Sequence, residues 1–235
     1  MALWLSLAIG CAPSGEERGG ASPDWEAVRQ EMVTTQIAAR GVDDRCVLDA
    51  MQQVPREAFV PAPLAADAYR DGPLLIGRGQ TISQPYIVAL MTALVEPREN
   101  FRALEIGTGS GSQAAVLAEC VGEVFTIEII PELGLEAAAR LAELGYQNIR
   151  THVGDGYDGW PEEAPFDAIV VTAAPAEIPQ PLLDQLAVGG RLVIPVGRGS
   201  QDLVVVTRTE EGFERRVETP VRFVPMTGKA ERDPL

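Results

Sequence analysis

Histidine is almost missing from this chain. His152 is the only one, and the three cysteines, Cys11, Cys46 and Cys120, form no CxxC pair. A zinc site needs about four nitrogen or sulfur ligands, so the inventory excludes one and no metal is expected. Widely spaced cysteines, odd in number, point to a reducing compartment, with Cys46 and Cys120 packed on helices as small apolar groups. No apolar run is long enough to span a bilayer, and no internal repeat is visible. Basic residues are scarce as well: 19 Lys and Arg stand against 34 Asp and Glu, a formal charge of −15. Such a surface repels phosphate backbones, which excludes nucleic acid as a partner and otherwise signals solvation.

The 235 residues, 46% of them hydrophobic, suit one α/β domain with a substantial core. Residues 1–23 stand apart from it. An apolar run over 2–10 leads into Cys11 and then a polar linker, APSGEERGGASP. Ala8-Ile9-Gly10-Cys11 resembles a bacterial lipoprotein cleavage box. No Lys or Arg precedes the run, however, and Ala8 stands where leucine is usual. A mis-called start or a disordered leader is therefore preferred, and the segment is excluded from the fold. The domain is expected over 24–235, with N-terminal helices and a substrate loop (24–97), a cofactor-binding core (98–200) and C-terminal strands (201–235).

Ser22-Pro23 reads as a helix start, a capping hydroxyl followed by proline at the first helical position, and Gly41 closes that helix. Asp43 and Asp44 open a second helix, which Pro55 stops. Residues 55–82, rich in Pro, Gly and Ala, read as an irregular and therefore functional loop. Ser83 precedes an apolar helix over 86–95, where a capping role is the plainest reading of its hydroxyl. Strands at 101–106, 123–129, 148–153, 166–172 and 191–196 then alternate with helices at 110–120, 131–144 and 179–186, the pattern of a parallel sheet covered on both faces. Segments 203–207, 213–218 and 221–224 follow without helices, so the sheet should finish with antiparallel strands.

The most informative stretch is LEIGTGSGS, residues 104–112. A glycine-rich turn between strand and helix lets a nucleotide-like ligand approach the backbone where a Cβ would collide, and leaves orphan helix N–H groups facing it. A dinucleotide fingerprint would place its third glycine at 112, which here is Ser112. Glu128, at the end of the next strand and 21 residues beyond Gly107, is placed to accept hydrogen bonds from ribose hydroxyls. Asp155-Gly156 lies on the same edge, suited to an adenine amino group or to a plain turn.

These elements resemble the class I S-adenosylmethionine-dependent methyltransferases. More closely, PREAFVP, AYRDGPLLIGRGQTISQPYIVALM, LEIGTGSGSQAAVLA, FDAIVVTAAPAEIPQPLLDQL, GGRLVIPVG and VRFVPMTG are similar, in order, to the protein-L-isoaspartate O-methyltransferase family. The resemblance implies a doubly wound, mostly parallel sheet of seven strands, Rossmann-like, with antiparallel C-terminal strands and N-terminal helices. It implies S-adenosyl-L-methionine bound by Glu105, Gly107, Thr108, Gly109, Ser110, Gly111, Glu128, Asp155 and Gly156. It places the active-site serine at Ser83, with Thr81 and Ile82 beside the substrate and Pro225, Met226 and Thr227 over the substrate pocket. Ser112 departs from the family's common tyrosine, Leu75 from its proline, and Arg78 sits within IGxGQ.

The implied reaction is methylation of the free carboxylate of L-isoaspartyl, or D-aspartyl, residues in damaged proteins and peptides, which begins repair through a succinimide. Such a carboxylate is already ionised at neutral pH, so a chain with one histidine needs no general base. On residues alone, another carboxylate acceptor and a catalytically silent binding module remain open as alternatives. A monomer is expected, and a cytoplasmic location because the methyl donor is made in the cytoplasm; an exported lipoprotein is the alternative if the leader is a true signal.

Overall fold

A computed structural model describes residues 23–232. The lipobox-like leader with Cys11, and Ser22, lie outside the described residues. The first helix, α1 (Trp25–Met32), starts later than Ser22-Pro23 suggests, because Asp24 is the cap: its carboxylate accepts from Ala27 N at 3.1 Å. An ionised cap there both satisfies an orphan N–H and opposes the helix dipole. The chain then widens into a π turn over Val33–Ile37, tightens into a 3-10 turn over Ala38–Arg40 and ends at Gly41, as expected. Asp44 caps α2 (Arg45–Gln53) by accepting from Val47 N at 3.0 Å.

The supposedly irregular stretch 55–82 is more ordered than its composition suggests. It holds two 3-10 turns, Arg56–Phe59 and Ala62–Asp67, and a hairpin of β1 (Leu74–Gly77) and β2 (Gln80–Ile82). The hairpin is legible only through its turn, where Arg78 takes φ +53° between two glycines. α3 (Pro85–Leu94) follows, with proline in its first turn.

The central sheet has the order β5-β4-β3-β6-β7-β8-β9. Its strands are β3 (Arg102–Ile106), β4 (Glu123–Glu128), β5 (Ile149–Val153), β6 (Phe166–Val171), β7 (Leu186–Val196), β8 (Gln201–Thr209) and β9 (Gly212–Val221). β3 to β7 run parallel, and β8 and β9 antiparallel. α4 (Ser112–Ala118), α5 (Pro131–Glu143) and α6 (Gln180–Asp184) are the crossovers; the last four residues described form α7 (Lys229–Arg232). The seven-stranded doubly wound sheet is as expected. The main differences from the expected boundaries are in the C-terminal half. β7 begins at Leu186 rather than 191, and no separate strand forms over 221–224. That segment leaves β9 and is recruited by the end of β6 instead: Ala174 N donates to Val224 O and Met226 N to Ala174 O, each at 2.8 Å.

Alternation along β3 and β4 divides the core. Ala103 and Val124 face α3 and α4, whereas Leu104 and Phe125 face the layer that carries Leu182 and Leu183 of α6. Both faces are buried, which is why these strands read as largely apolar runs, interrupted inside by Glu105 and Thr126. β3 and β6 are neighbours whose connections leave in opposite directions, so the crevice for a ligand opens beyond Ile106 and Val171.

One expectation is overturned. Cys46 and Cys120 are not free apolar groups; they form a disulfide across 74 residues, with Cα atoms 5.7 Å apart. It joins α2 to the chain just after α4. Closing a loop of that length restricts the unfolded chain, so Cys46→Ser should lower the unfolding free energy by about 2–4 kcal/mol. Urea denaturation with and without reductant measures this, and reduced wild type should match the variant.

Candidate functional site

At the crevice between β3 and β6 lie two cavities that share a wall. The larger is a cleft of about 610 Å³, lined among others by Thr81, Ile82, Ser83, Glu105, Thr108 and Ser110. The smaller, about 70 Å³, lies against Glu128, Asp155, Gly156 and residues 225–227. Thr81, Gly107, Gly109, Thr172 and Val224 line both. All the residues read from the sequence therefore gather here except Gly111, which lines neither cavity but turns the chain into α4 at φ +92°. Pro225, Met226 and Thr227 stand at the small cavity with Glu128, not over the large cleft as a substrate cover would.

The glycine turn is held from several sides. Gly107 has φ +96°, and a Cβ there would sit 2.4 Å from Thr172 Oγ1. That hydroxyl lies 2.7 Å from Gly107 O and 3.0 Å from Ile106 O, clamping the turn to the end of β6. Glu128, only 5% exposed, accepts from Gly109 N at 2.8 Å with Oε2 and from Ile130 N at 3.0 Å with Oε1. Each oxygen keeps a lone pair for a further donor such as a ribose hydroxyl. Arg140 of α5 donates to Ser110 O at 2.9 Å.

Asp155 is more than a plain turn. Its carboxylate accepts from Tyr157 N at 3.0 Å and from Lys229 N at 2.8 Å, tying the C-terminal segment to the end of β5. Gly156 permits a close approach: a Cβ would meet Ile106 Cγ2 at 2.3 Å.

Beneath the turn Glu105 is fully buried. Its Oε2 accepts from Thr126 Oγ1, which is itself 2.6 Å from Thr108 Oγ1, whereas the buried Oε1 has no hydrogen-bond partner among the described residues, and the residue lines the cleft. Burial, reinforced by the nearby Glu128 charge, pushes this carboxyl up to about 8 despite the bond from Thr126. A cationic ligand in the cleft would favour the ionised form and give Oε1 a counterpart. The cradle at Gly107 and this orphaned oxygen fit a nucleoside that carries positive charge.

Ser83 joins β2 to α3. Gln84 occupies the helix cap without a side-chain capping bond, so Ser83 is not the cap, and the Ser83 hydroxyl forms no hydrogen bond among the described residues. Its carbonyl is anchored by Arg56, a residue the sequence reading missed. Arg56 is 3% exposed and donates Nη2 to Ser83 O at 2.7 Å and Nε to Ala68 O at 2.6 Å. Burial lowers its pKa to about 10, yet it remains charged, and hydrogen bonds to a charged donor are worth about 1.5–3 kcal/mol each. The signal lay inside PREAFVP: an arginine that the fold buries among Phe59 and Val60. Thr172 was likewise hidden inside FDAIVVTAAP.

The family described as protein-L-isoaspartate(D-aspartate) O-methyltransferase matches residues 27–231. A protein-L-isoaspartate O-methyltransferase of Picosynechococcus is 59% identical over 202 residues, which is 86% of this chain and 91% of that protein. One from Gloeobacter violaceus is 57% identical over 83% of this chain and 97% of its own length. A solved protein-L-isoaspartate O-methyltransferase superposes with TM-score 0.79 at 29% identity, over 86% of this chain and 67% of that one. A putative one from Plasmodium falciparum, in complex with S-adenosyl-L-homocysteine, gives TM-score 0.73 at 25% identity over 88% and 99% of the two chains.

Glu105 makes stability depend on pH. The folded carboxyl keeps a proton up to about 8, whereas the unfolded one releases it near 4.5. Folded protein therefore binds more protons than unfolded across that window and loses stability as pH rises through it. Glu105→Gln should remove this loss. Denaturation midpoints at pH 5, 6.5 and 8 should fall in wild type relative to the variant, and parallel profiles would refute the assignment.

Proposed function

The chain belongs to the protein-L-isoaspartate(D-aspartate) O-methyltransferase family, and we propose that its large cleft receives the acceptor carboxylate at Ser83 while the small cavity takes the donor's nucleoside. Its activity is S-adenosylmethionine-dependent methylation of L-isoaspartyl residues, and the family acts on damaged proteins. The observation that carries the assignment of Ser83 is an uncommitted hydroxyl on the wall of the cleft, on a backbone held by Arg56.

S-adenosylmethionine, when bound, supplies a methyl group on a sulfonium. The chain's task is alignment. The acceptor carboxylate is an anion at neutral pH and needs no proton removed. Ser83 Oγ–H donates to one carboxylate oxygen and leaves the other free to attack, while Arg56 keeps the Ser83 backbone from shifting. Holding two reactants in line and excluding water lowers a barrier by roughly 7–11 kcal/mol, sufficient without a base or a metal. Glu128 would accept from the ribose hydroxyls through its remaining lone pairs. Asp155 and Gly156 would border the adenine, with Glu105, Thr108 and Ser110 beneath the methionine portion. Thr81 and Ile82 carry the substrate edge of the cleft, and Pro225 to Thr227 close the nucleoside side. The neighbouring backbone amide nitrogen then attacks the ester carbonyl and loses its proton as methanol is expelled, and water opens the resulting succinimide to aspartate or back to isoaspartate.

The cleft is complete within one chain, which supports a monomer, and the charge of −15 supports a protein rather than a nucleic-acid partner. No helix among the described residues is long and apolar enough to cross a membrane. The origin of the donor supports action in the cytoplasm. The Cys46–Cys120 disulfide favours a second reading, a protein exported to an oxidising compartment.

Ser83→Ala should lose at least tenfold in turnover of an isoaspartyl peptide while binding S-adenosylmethionine as tightly as wild type. Steady-state kinetics and calorimetry on the same preparation test this; near-wild-type turnover refutes the role.

A further inference from the structure

A net charge of −15 works against an enzyme whose acceptor is itself an anion, because the summed field repels acidic segments. The large cleft departs locally from that field. Its Asp, Glu, Lys and Arg residues are Arg40, Glu105 and Arg222. Glu105 is fully buried at the base with its carboxyl pushed up to about 8, so it adds little negative charge at neutral pH. Arg40 lies over the Tyr86 ring, 3.6 Å from its centre, and is paired with Asp71 at 3.1 Å. Asp71 also accepts from Gln84 at 2.6 Å, so that cation is already compensated.

Arg222 is different. It is exposed on the segment that leaves β9, and among the described residues its side chain forms no ion pair and no hydrogen bond. Its backbone, by contrast, is firmly held. Phe223 N donates to Gln201 Oε1 at 2.6 Å, Gln201 Nε2 donates to Phe223 O at 3.1 Å, and Val224 O accepts from Ala174 N at 2.8 Å. A free guanidinium is thus presented from a fixed point on the cleft wall.

We infer that Arg222 is a specificity-determining residue that selects isoaspartyl acceptors with an acidic side chain next to the damaged residue. The inference rests on the cleft being the acceptor site. A rim charge acts on encounter and on ground-state binding, so it should appear in KM more than in kcat and weaken with salt. An exposed ion pair of this kind corresponds to about a two- to fivefold effect.

The test uses three otherwise identical isoaspartyl peptides with Glu, Gln or Lys beside the isoaspartate, assayed with wild type, Arg222→Gln and Arg222→Lys at low and raised salt. Wild type should prefer Glu over Gln and Gln over Lys by about two- to fivefold per step in kcat/KM, mostly through KM, with the spread narrowing at raised salt. Arg222→Gln should collapse the spread and Arg222→Lys should keep it; because the readout is a ratio within each variant, overall loss of activity does not obscure it. No preference in wild type, or an unchanged spread in Arg222→Gln, overturns the inference. An equal loss on all three peptides with weaker S-adenosylmethionine binding also overturns it, by assigning Arg222 to the donor. Failure of wild type to methylate any of the peptides would instead overturn the reading of the cleft itself.

Discussion

The grip on the backbone between Gly107 and Ser110 is the constraint on which the site depends. Thr172 clamps its start to β6, Glu128 holds Gly109 from the end of β4, and Arg140 of α5 fastens Ser110. Three neighbouring elements thus fix one short turn from different directions. The result is a preformed surface on which a ligand's atoms meet backbone rather than side chains. Two glycines make that possible, Gly107 against Thr172 and Gly156 against Ile106, since a Cβ at either would collide.

Around this turn the chain distributes charge unevenly. Among the described residues three charged-type side chains are buried without a direct opposite charge: Glu105 beneath the turn, Glu128 beside it and Arg56 behind Ser83. Each is costly to bury, and each sits where it fixes or faces the cleft. Arg56 exchanges its solvation for two carbonyls and thereby immobilises the loop that presents Ser83. Glu105, which lines the cleft, keeps one buried oxygen unpartnered. Transfer between a sulfonium and a carboxylate needs little acid–base chemistry, and this economy explains why one histidine suffices.

Much of the fold was legible because the inner parallel strands β3, β4 and β6 are buried on both faces and bounded by glycine or proline. The ends of β3, β4 and β6 fall within a residue or two of where periodicity sets them. What escaped depended on tertiary context. The 221–224 stretch has the composition of a strand, yet Ala174 draws it out of the sheet. Cys46 and Cys120 lie 74 residues apart, and nothing local announces their bond. At the site, the glycines and Glu128 were readable from spacing, whereas Ser83 looked like a helix cap until Gln84 proved to hold that position. Arg56 and Thr172 stabilise carbonyls and a tight turn, roles that no sequence period encodes.

The central claim is that this preformed turn and the cleft beside it serve methylation of isomerised aspartate. The most direct measurement is transfer of labelled methyl from S-adenosylmethionine to two peptides identical except that one carries L-isoaspartate and the other L-aspartate. Base-labile label is expected on the isoaspartyl peptide and none above background on its partner. Equal labelling of both, or label on neither, would contradict it.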